Sequence, residues 1–180
     1  LEEAEMRLKS AITAALALFL SIGINAYAGD LAYTDIPSTS PEGKAIHNLF
    51  VKAEKAAADK DIKGIISLYS KDYLNAGYAK ADMGNSWSKI FDMFNKITME
   101  HNIYQIQISS DGTRARMKCG GLLSGVETHG AMGLLGSQAE PIVIDSWTAS
   151  THDFIKEDGE WKIFGNQVKY DVGQERHILF

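Results

Sequence analysis

Phe154-Ile155-Lys156-Glu157-Asp158-Gly159-Glu160-Trp161-Lys162-Ile163 reads as a β-hairpin, with the acidic turn Glu157-Asp158-Gly159-Glu160 at its tip. The strand leading in runs from Ile142 to Lys156 and is long enough to call for a bend or a bulge. The strand leading out runs from Trp161 to Tyr170. Further upstream, Ser110-Asp111-Gly112 is a second hairpin turn. It follows a strand over Ile97 to Ser109, in which Tyr104, Ile106 and Ile108 oppose Gln105 and Gln107. After it, Thr113 to Cys119 alternates cleanly: Ala115, Met117 and Cys119 face one way, Arg114, Arg116 and Lys118 the other. Successive long strands joined by tight turns make an antiparallel sheet with one buried face.

Helical periodicity fills the region before the strands. Ser40-Pro41-Glu42 is a helix start, with Ser as N-cap and Pro at the first helical position. Ile46, Leu49, Phe50, Ala53 and Ala57 then give one apolar face, while Lys44, His47, Lys52, Glu54 and Lys55 lie mostly on the polar side. Asp59-Lys60-Asp61 separates a second helix carrying Ile62, Ile65, Ile66 and Tyr69. Asn75-Ala76-Gly77-Tyr78 has turn chemistry, and a third helix is expected from about Met83 to Lys96, with Met83, Trp87, Ile90, Phe91 and Phe94 as its stripe. Helices first and antiparallel strands after is an α+β layout.

Residues 120 to 136 interrupt the alternation. Gly120, Gly121, Gly125, Gly130, Gly133 and Gly136 punctuate an apolar stretch. A long loop there would be a lid over an apolar cavity, or a hairpin that protrudes or packs on a dimer mate.

The formal net charge is -5, and no basic stripe speaks for nucleic acid. Met6 precedes Arg7 and Lys9, Ala11 to Ile24 is an uncharged apolar run, and Ala26-Tyr27-Ala28 is a small-x-small cleavage pattern. Residues 1–28 are therefore expected to be a signal peptide cleaved after Ala28, with residues 1–5 a start site set too early. The apolar run falls short of the ~18 residues a spanning helix needs, so no stable membrane anchor is expected after cleavage. Residue 29 is Gly rather than Cys, which speaks against a lipid anchor. The destination is the periplasm or the medium. Residues 29–41 read as a polar lead-in, 42–172 as the domain and 173–180 as a tail. One cysteine, Cys119, leaves no intrachain disulfide to form.

The order of elements resembles the nuclear transport factor 2-like superfamily, to which polyketide cyclases and ketosteroid isomerases are related. Three stretches carry the likeness: Leu68-Tyr69-Ser70-Lys71-Asp72-Tyr73 at the second helix end, Gly77-Tyr78-Ala79-Lys80-Ala81-Asp82 before the third helix, and the closing hairpin Phe154 to Ile163. The resemblance implies a strongly curved, mostly antiparallel sheet wrapped by three N-terminal helices, forming a cone with a pocket, and a homodimer. It brings no catalytic residue with it, because the family's members range from enzymes to binding modules.

A pocket in such a cone is mostly apolar with few polar groups. Tyr69, Tyr73, Trp87, Tyr104, Met117 and Trp147 are the candidate ligand-binding residues, although the same side chains would also fill an ordinary core. Acid–base chemistry would need a titratable group on an apolar face. Asp145, grouped by alternation with Val143, Trp147 and Ala149, is the candidate base, and His129 in the Gly-rich segment its candidate partner. His152 and Asp153 are adjacent and point to opposite faces of a regular strand, which reads as a solvent-facing pair. The His residues show no HxH, HxxxH or HExxH spacing, so no metal is expected, and no cofactor is implied. The leading expectation is an exported small-molecule-binding domain for a small hydrophobic molecule. The alternatives are an acid–base isomerase, dehydratase or cyclase, and a dimeric protein-interaction module.

Overall fold

Helix α1 (Pro41–Ala58) begins where its signals place it: Ser40 Oγ accepts the Gly43 N–H at 3.1 Å, and Pro41 opens the first turn. The computed structural model describes residues 31–128 and 140–169. Ile46, Leu49, Phe50, Ala53 and Ala57 are all buried along one side of α1. Helix α2 (Ile62–Ser67) is capped by the Asp61 carboxylate, which accepts the Gly64 N–H at 2.9 Å. Lys60 sits between these helices with φ 53° and donates to Phe91 O at 2.7 Å and to Asn95 Oδ1 at 2.6 Å. The charged break therefore tethers the α1–α2 turn to the third helix. Among the described residues no helix is long and apolar enough to cross a membrane.

Helix α3 (Lys80–Met93) starts three residues before its expected beginning and ends earlier than expected. The Asp82 carboxylate accepts the Ala79 N–H at 2.8 Å and fixes its start. At its other end Phe94 is extended (φ -127°, ψ 146°) and already pairs with Glu127, so its buried ring belongs to the sheet and not to the helical stripe. The Asn75–Tyr78 turn joins two short strands, β2 (Leu74–Asn75) and β3 (Tyr78–Ala79).

The main sheet is antiparallel in the order β1-β4-β5-β6-β7. Its strands are β1 (Tyr33–Ile36), β4 (Phe94–Ser109), β5 (Arg114–Glu127), β6 (Ile142–Glu157) and β7 (Glu160–Ile163). The expected α+β class and the helix-covered antiparallel sheet are what the molecule has. The β6–β7 hairpin turns at Asp158 and Gly159, both with positive φ, as its Asp-Gly pair requires.

Four expectations on the strands are corrected. The lead-in holds strand β1, whose residues pair with Ile106 to Ser109. The last strand stops at Ile163 instead of reaching Tyr170, because the chain then follows the small hairpin: Leu74 N–H donates to Phe164 O and Gln167 N–H to Leu74 O. Gly165 makes that departure at φ 78°, with the Leu74 carbonyl where a side chain would begin. Strand β5 runs past Cys119 through Gly120, Gly121 and Gly125 to Glu127, so the first part of the Gly-rich segment is ladder and not loop. Space is the reason for the glycines. A side chain on Gly121 would enter the Trp147 indole, and one on Gly120 would lie 2.5 Å from the Tyr104 hydroxyl oxygen. The remainder of that segment lies outside the described residues, as do the signal-peptide region and the tail.

The fourth correction concerns which side chains face the core. Between Ile103↔Cys119 and Gln105↔Lys118, β4 carries one extra residue, Tyr104. Between Cys119↔Ser150 and Gly121↔Trp147, β6 carries one extra residue. Each bulge reverses the alternation that follows. Met99 and Ile106 are therefore both buried although their spacing is odd, and so are Trp147 and His152. Tyr104, expected among the cavity aromatics, is 60% exposed. His152, expected to face solvent, is 1% exposed. A further shift, between Leu123 and Ser124, leaves Val143 61% exposed rather than on the inner face with Trp147, and Ala149 is exposed as well.

Candidate functional site

The inner face of β4, β5 and β6 meets α1 across an apolar layer that contains several polar groups. Phe50, projecting from α1, lies at the middle. Its ring centroid is 4.4 Å from that of His101, 6.2 Å from that of His152 and 5.9 Å from that of Phe154. His101 comes from β4 and His152 from β6, so one phenyl ring touches imidazoles from two strands.

His101 Nδ1 lies 3.0 Å from Glu54 Oε1, and the His101 side chain is 1% exposed against 32% for Glu54. The carboxylate approaches from α1 at the edge of the apolar face, one position on from Ala53. Burial is the larger influence on His101 and lowers its pKa below the usual 6.5, while the Glu54 hydrogen bond and charge pull the other way. The ring is consequently neutral near pH 7, held in orientation by its carboxylate.

Across the sheet, Cys119 Sγ is 3.0 Å from His152 Nε2 and accepts the Trp147 indole N–H at 3.3 Å. Burial pushes the Cys119 thiol up to about 11, and the Trp147 N–H offsets only part of this. Cys119 is thus a protonated thiol at neutral pH, unlike the low-pKa cysteines that act as nucleophiles. The Trp147 ring bridges the two polar groups: it sits 5.2 Å from the His101 ring and bonds to the thiol. Glu54, His101, Trp147, Cys119 and His152 form one polar line through the apolar interior.

A second cluster lies where α2 runs into the small hairpin. Trp87 Nε1 donates to Tyr69 Oη at 3.2 Å, and the Tyr69 and Tyr73 rings meet edge to face at 4.9 Å. Burial raises the pKa of both phenols, so both keep their protons. Of the expected ligand-binding residues, Tyr69, Tyr73, Trp87, Met117 and Trp147 are buried inside, and Tyr104 is on the other face. Asp145 is half-buried, paired in register with Leu123 and two residues from Trp147. His129 lies outside the described residues.

The sequence reading passed over the His101–Glu54 pair and the Cys119–His152 pair. One signal was available: Ile97, Met99, His101 and Ile103 alternate, and that pattern puts His101 with the apolar set. Asp153, next to His152 in the chain, faces the opposite side and accepts from Arg116 Nε at 3.0 Å. Among the described residues no three or more His, Cys, Asp and Glu side chains are grouped so as to hold a metal ion. A groove of about 350 Å³ between α1 and the β6–β7 hairpin is open to solvent, and two of its lysines are engaged, Lys156 with Glu42 at 3.9 Å and Lys162 with Glu160 at 2.9 Å.

The His101 pKa gives a pH prediction. The folded-state value is depressed, so the unfolded chain takes up a proton first as pH falls. Stability from this group is complete above about 6.5, the ordinary imidazole value, and declines as pH drops below it. Melting temperatures measured from pH 7.5 to 5 are expected to fall more steeply for the native protein than for His101→Gln. Parallel profiles would show that His101 is as easily protonated folded as unfolded.

Comparison with protein-family models finds no match, and comparison with curated proteins finds no relative. Solved structures do match. A conserved protein from Planctomyces limnophilus superposes with a TM-score of 0.54 at 14% identity, covering 69% of this chain and 91% of that one. A candidate scytalone dehydratase from Novosphingobium aromaticivorans gives 0.52 at 13% identity, covering 75% and 95%. A candidate dehydratase of the nuclear transport factor 2-like family from Streptomyces avermitilis gives 0.50 at 11% identity, covering 70% and 95%. At such identities the likeness is one of fold, and the fold is that of the nuclear transport factor 2-like superfamily.

Proposed function

We propose, from the premise that the chain has the nuclear transport factor 2-like fold, that it is an exported protein binding a small hydrophobic molecule between α1 and the inner face of β4–β6. The observation that carries this reading is the polar line Glu54–His101–Trp147–Cys119–His152 set in an apolar interior. A purely structural core gains nothing from imidazoles there, since burying a polar group costs stability that Leu or Phe would not. Ligand pockets have this composition: apolar walls with few placed polar groups.

A second reading follows from the His101–Glu54 pair. A neutral imidazole oriented by a carboxylate can take a proton from a substrate and return it. The protein would then be an acid–base isomerase, dehydratase or cyclase, with His101 as base, Glu54 as its positioning carboxylate, and Asp145 and His129 as further candidates.

Native mass spectrometry of the protein purified gently from its own host tests the binding reading and reports whether the protein is the homodimer its resemblance implies. A small molecule that leaves on denaturation is the expected result. A protein that arrives empty and takes up none of a series of fused-ring hydrocarbons and ketones would overturn it. The two readings part on turnover: uptake without conversion of the bound molecule favours the first, and conversion by the native protein that His101→Gln abolishes favours the second.

A further inference from the structure

The groove between α1 and the β6–β7 hairpin lies outside the apolar interior and has no part in either reading above. One side of α1 forms its first wall: Glu42, Ala45, Leu49 and Lys52 recur at three- and four-residue steps and stand in one row. The small Ala45 leaves the hollow in the middle of that row. Trp161 from the hairpin and Leu68 at the end of α2 are buried like Leu49, so the floor is apolar. The charges above it are unevenly placed. At the start of the row Glu42 and Lys156 offset each other. Lys52 lies roughly 15 Å further along the helix axis, at 1.5 Å per residue. At that end Glu160 is taken by Lys162, which together with the charge of Lys52 holds its carboxyl below the usual range. Lys52 itself is exposed and has no hydrogen bond or ion pair among the described residues. One carboxylate therefore serves two ammonium groups, and this end of the groove carries a surplus positive charge beside apolar carbon.

We propose that this groove is a second binding site, for a small aromatic monocarboxylate whose rings lie along Ala45, Leu49 and Trp161 and whose carboxylate is received by Lys52 and Lys162. Its volume of about 350 Å³ is at the small end of ligand pockets, which suits a free acid of one or two rings. A second carboxylate on the ligand would meet Glu42 or Glu160, so the class is limited to monoacids. A neutral analogue loses the attraction of the surplus ammonium group and keeps only the contact with the floor. The site is independent of the interior binding reading.

The test titrates 2-naphthoate and the neutral 2-naphthamide into the native protein by calorimetry at low salt. The acid should bind more tightly than the amide by about fivefold, the upper end for a partly exposed ion pair. Lys52→Met should remove that preference and leave the amide unchanged, and Glu160→Gln, which frees Lys162, should strengthen acid binding. Lys55→Met is the control: it lies on the same helix but its ammonium is held by Asp59 at 2.5 Å, so it should change neither probe. Equal binding of acid and amide by the native protein, or no uptake of the acid at millimolar concentration, overturns the proposal. So does an acid preference that Lys52→Met and Glu160→Gln both leave as it was, since the acid then sits elsewhere. None of these outcomes bears on the interior reading, which fails on its own test.

Discussion

Phe50→Ala is expected to lower folding stability by about 3–5 kcal/mol, the usual cost of emptying a phenyl site in a packed core. The side chain is 1% exposed and contacts rings from both outer strands of the inner face, His101 on β4 and His152 and Phe154 on β6. Collapse around the missing ring is restricted because those three neighbours are anchored on rigid strands, so most of the cavity persists. Chemical denaturation measures the loss directly. Phe50→Leu keeps much of the volume and should recover most of the stability without restoring the ring contact to His101. A loss below about 1 kcal/mol for the alanine variant would mean that the helix settles onto the sheet, and that Phe50 does not hold the two imidazoles apart.

Gly121→Val is expected to cost about 1–3 kcal/mol or more through overpacking. Its first side-chain carbon would occupy the position of the Trp147 indole and would lie 2.5 Å from the Glu100 carbonyl oxygen, and neither neighbour is the free end of a flexible chain. Trp147 must then swing away, which breaks its N–H bond to Cys119 and its contact with His101. The near-ultraviolet circular dichroism of the tryptophans should change along with stability. Substitution at Gly112, where nothing lies within 4 Å, is a useful contrast, since only its backbone φ of 70° is at stake. A Gly121 variant with native stability and an unchanged tryptophan signal would show that the indole does not occupy that space.

Much of the fold could be read from local chemistry. The Ser-Pro helix start, the apolar face of α1, the charged break at Asp59–Asp61 and the three turns at Asn75, Asp111 and Asp158 all depend on residues near each other in the chain. The strand ends were harder. The Gly-rich stretch looks like loop because glycine usually is loop, but at Gly120 and Gly121 it is the partner strands' Tyr104 and Trp147 that exclude a side chain. That information is held by residues distant in sequence.

The candidate site was the least legible part for the same reason. Alternation assigns Ala115, Met117 and Cys119 to the core correctly because β5 is regular there. It fails for Tyr104 and His152 because each lies at or beyond an inserted residue, and a period of two cannot survive an odd insertion. Glu54 was read as a surface charge from its own helix alone. Its partner His101 stands on a strand that only the tertiary fold brings to α1.

The two insertions have a mechanical consequence. Both abut Cys119, one from β4 and one from β6, so the two strands flanking β5 are irregular along a single line across the sheet. Bulges bend and twist the strands that carry them, which makes this line a crease. From Ser150 to the start of β6 at Ile142 the strand extends about 25 Å at roughly 3.3 Å per residue. A change of about 5° at the crease would move that far end by roughly 2 Å over such a lever arm. The reach between the rim of the sheet and α1 is therefore set in part at this line, and Cys119, His152 and Trp147 stand along it.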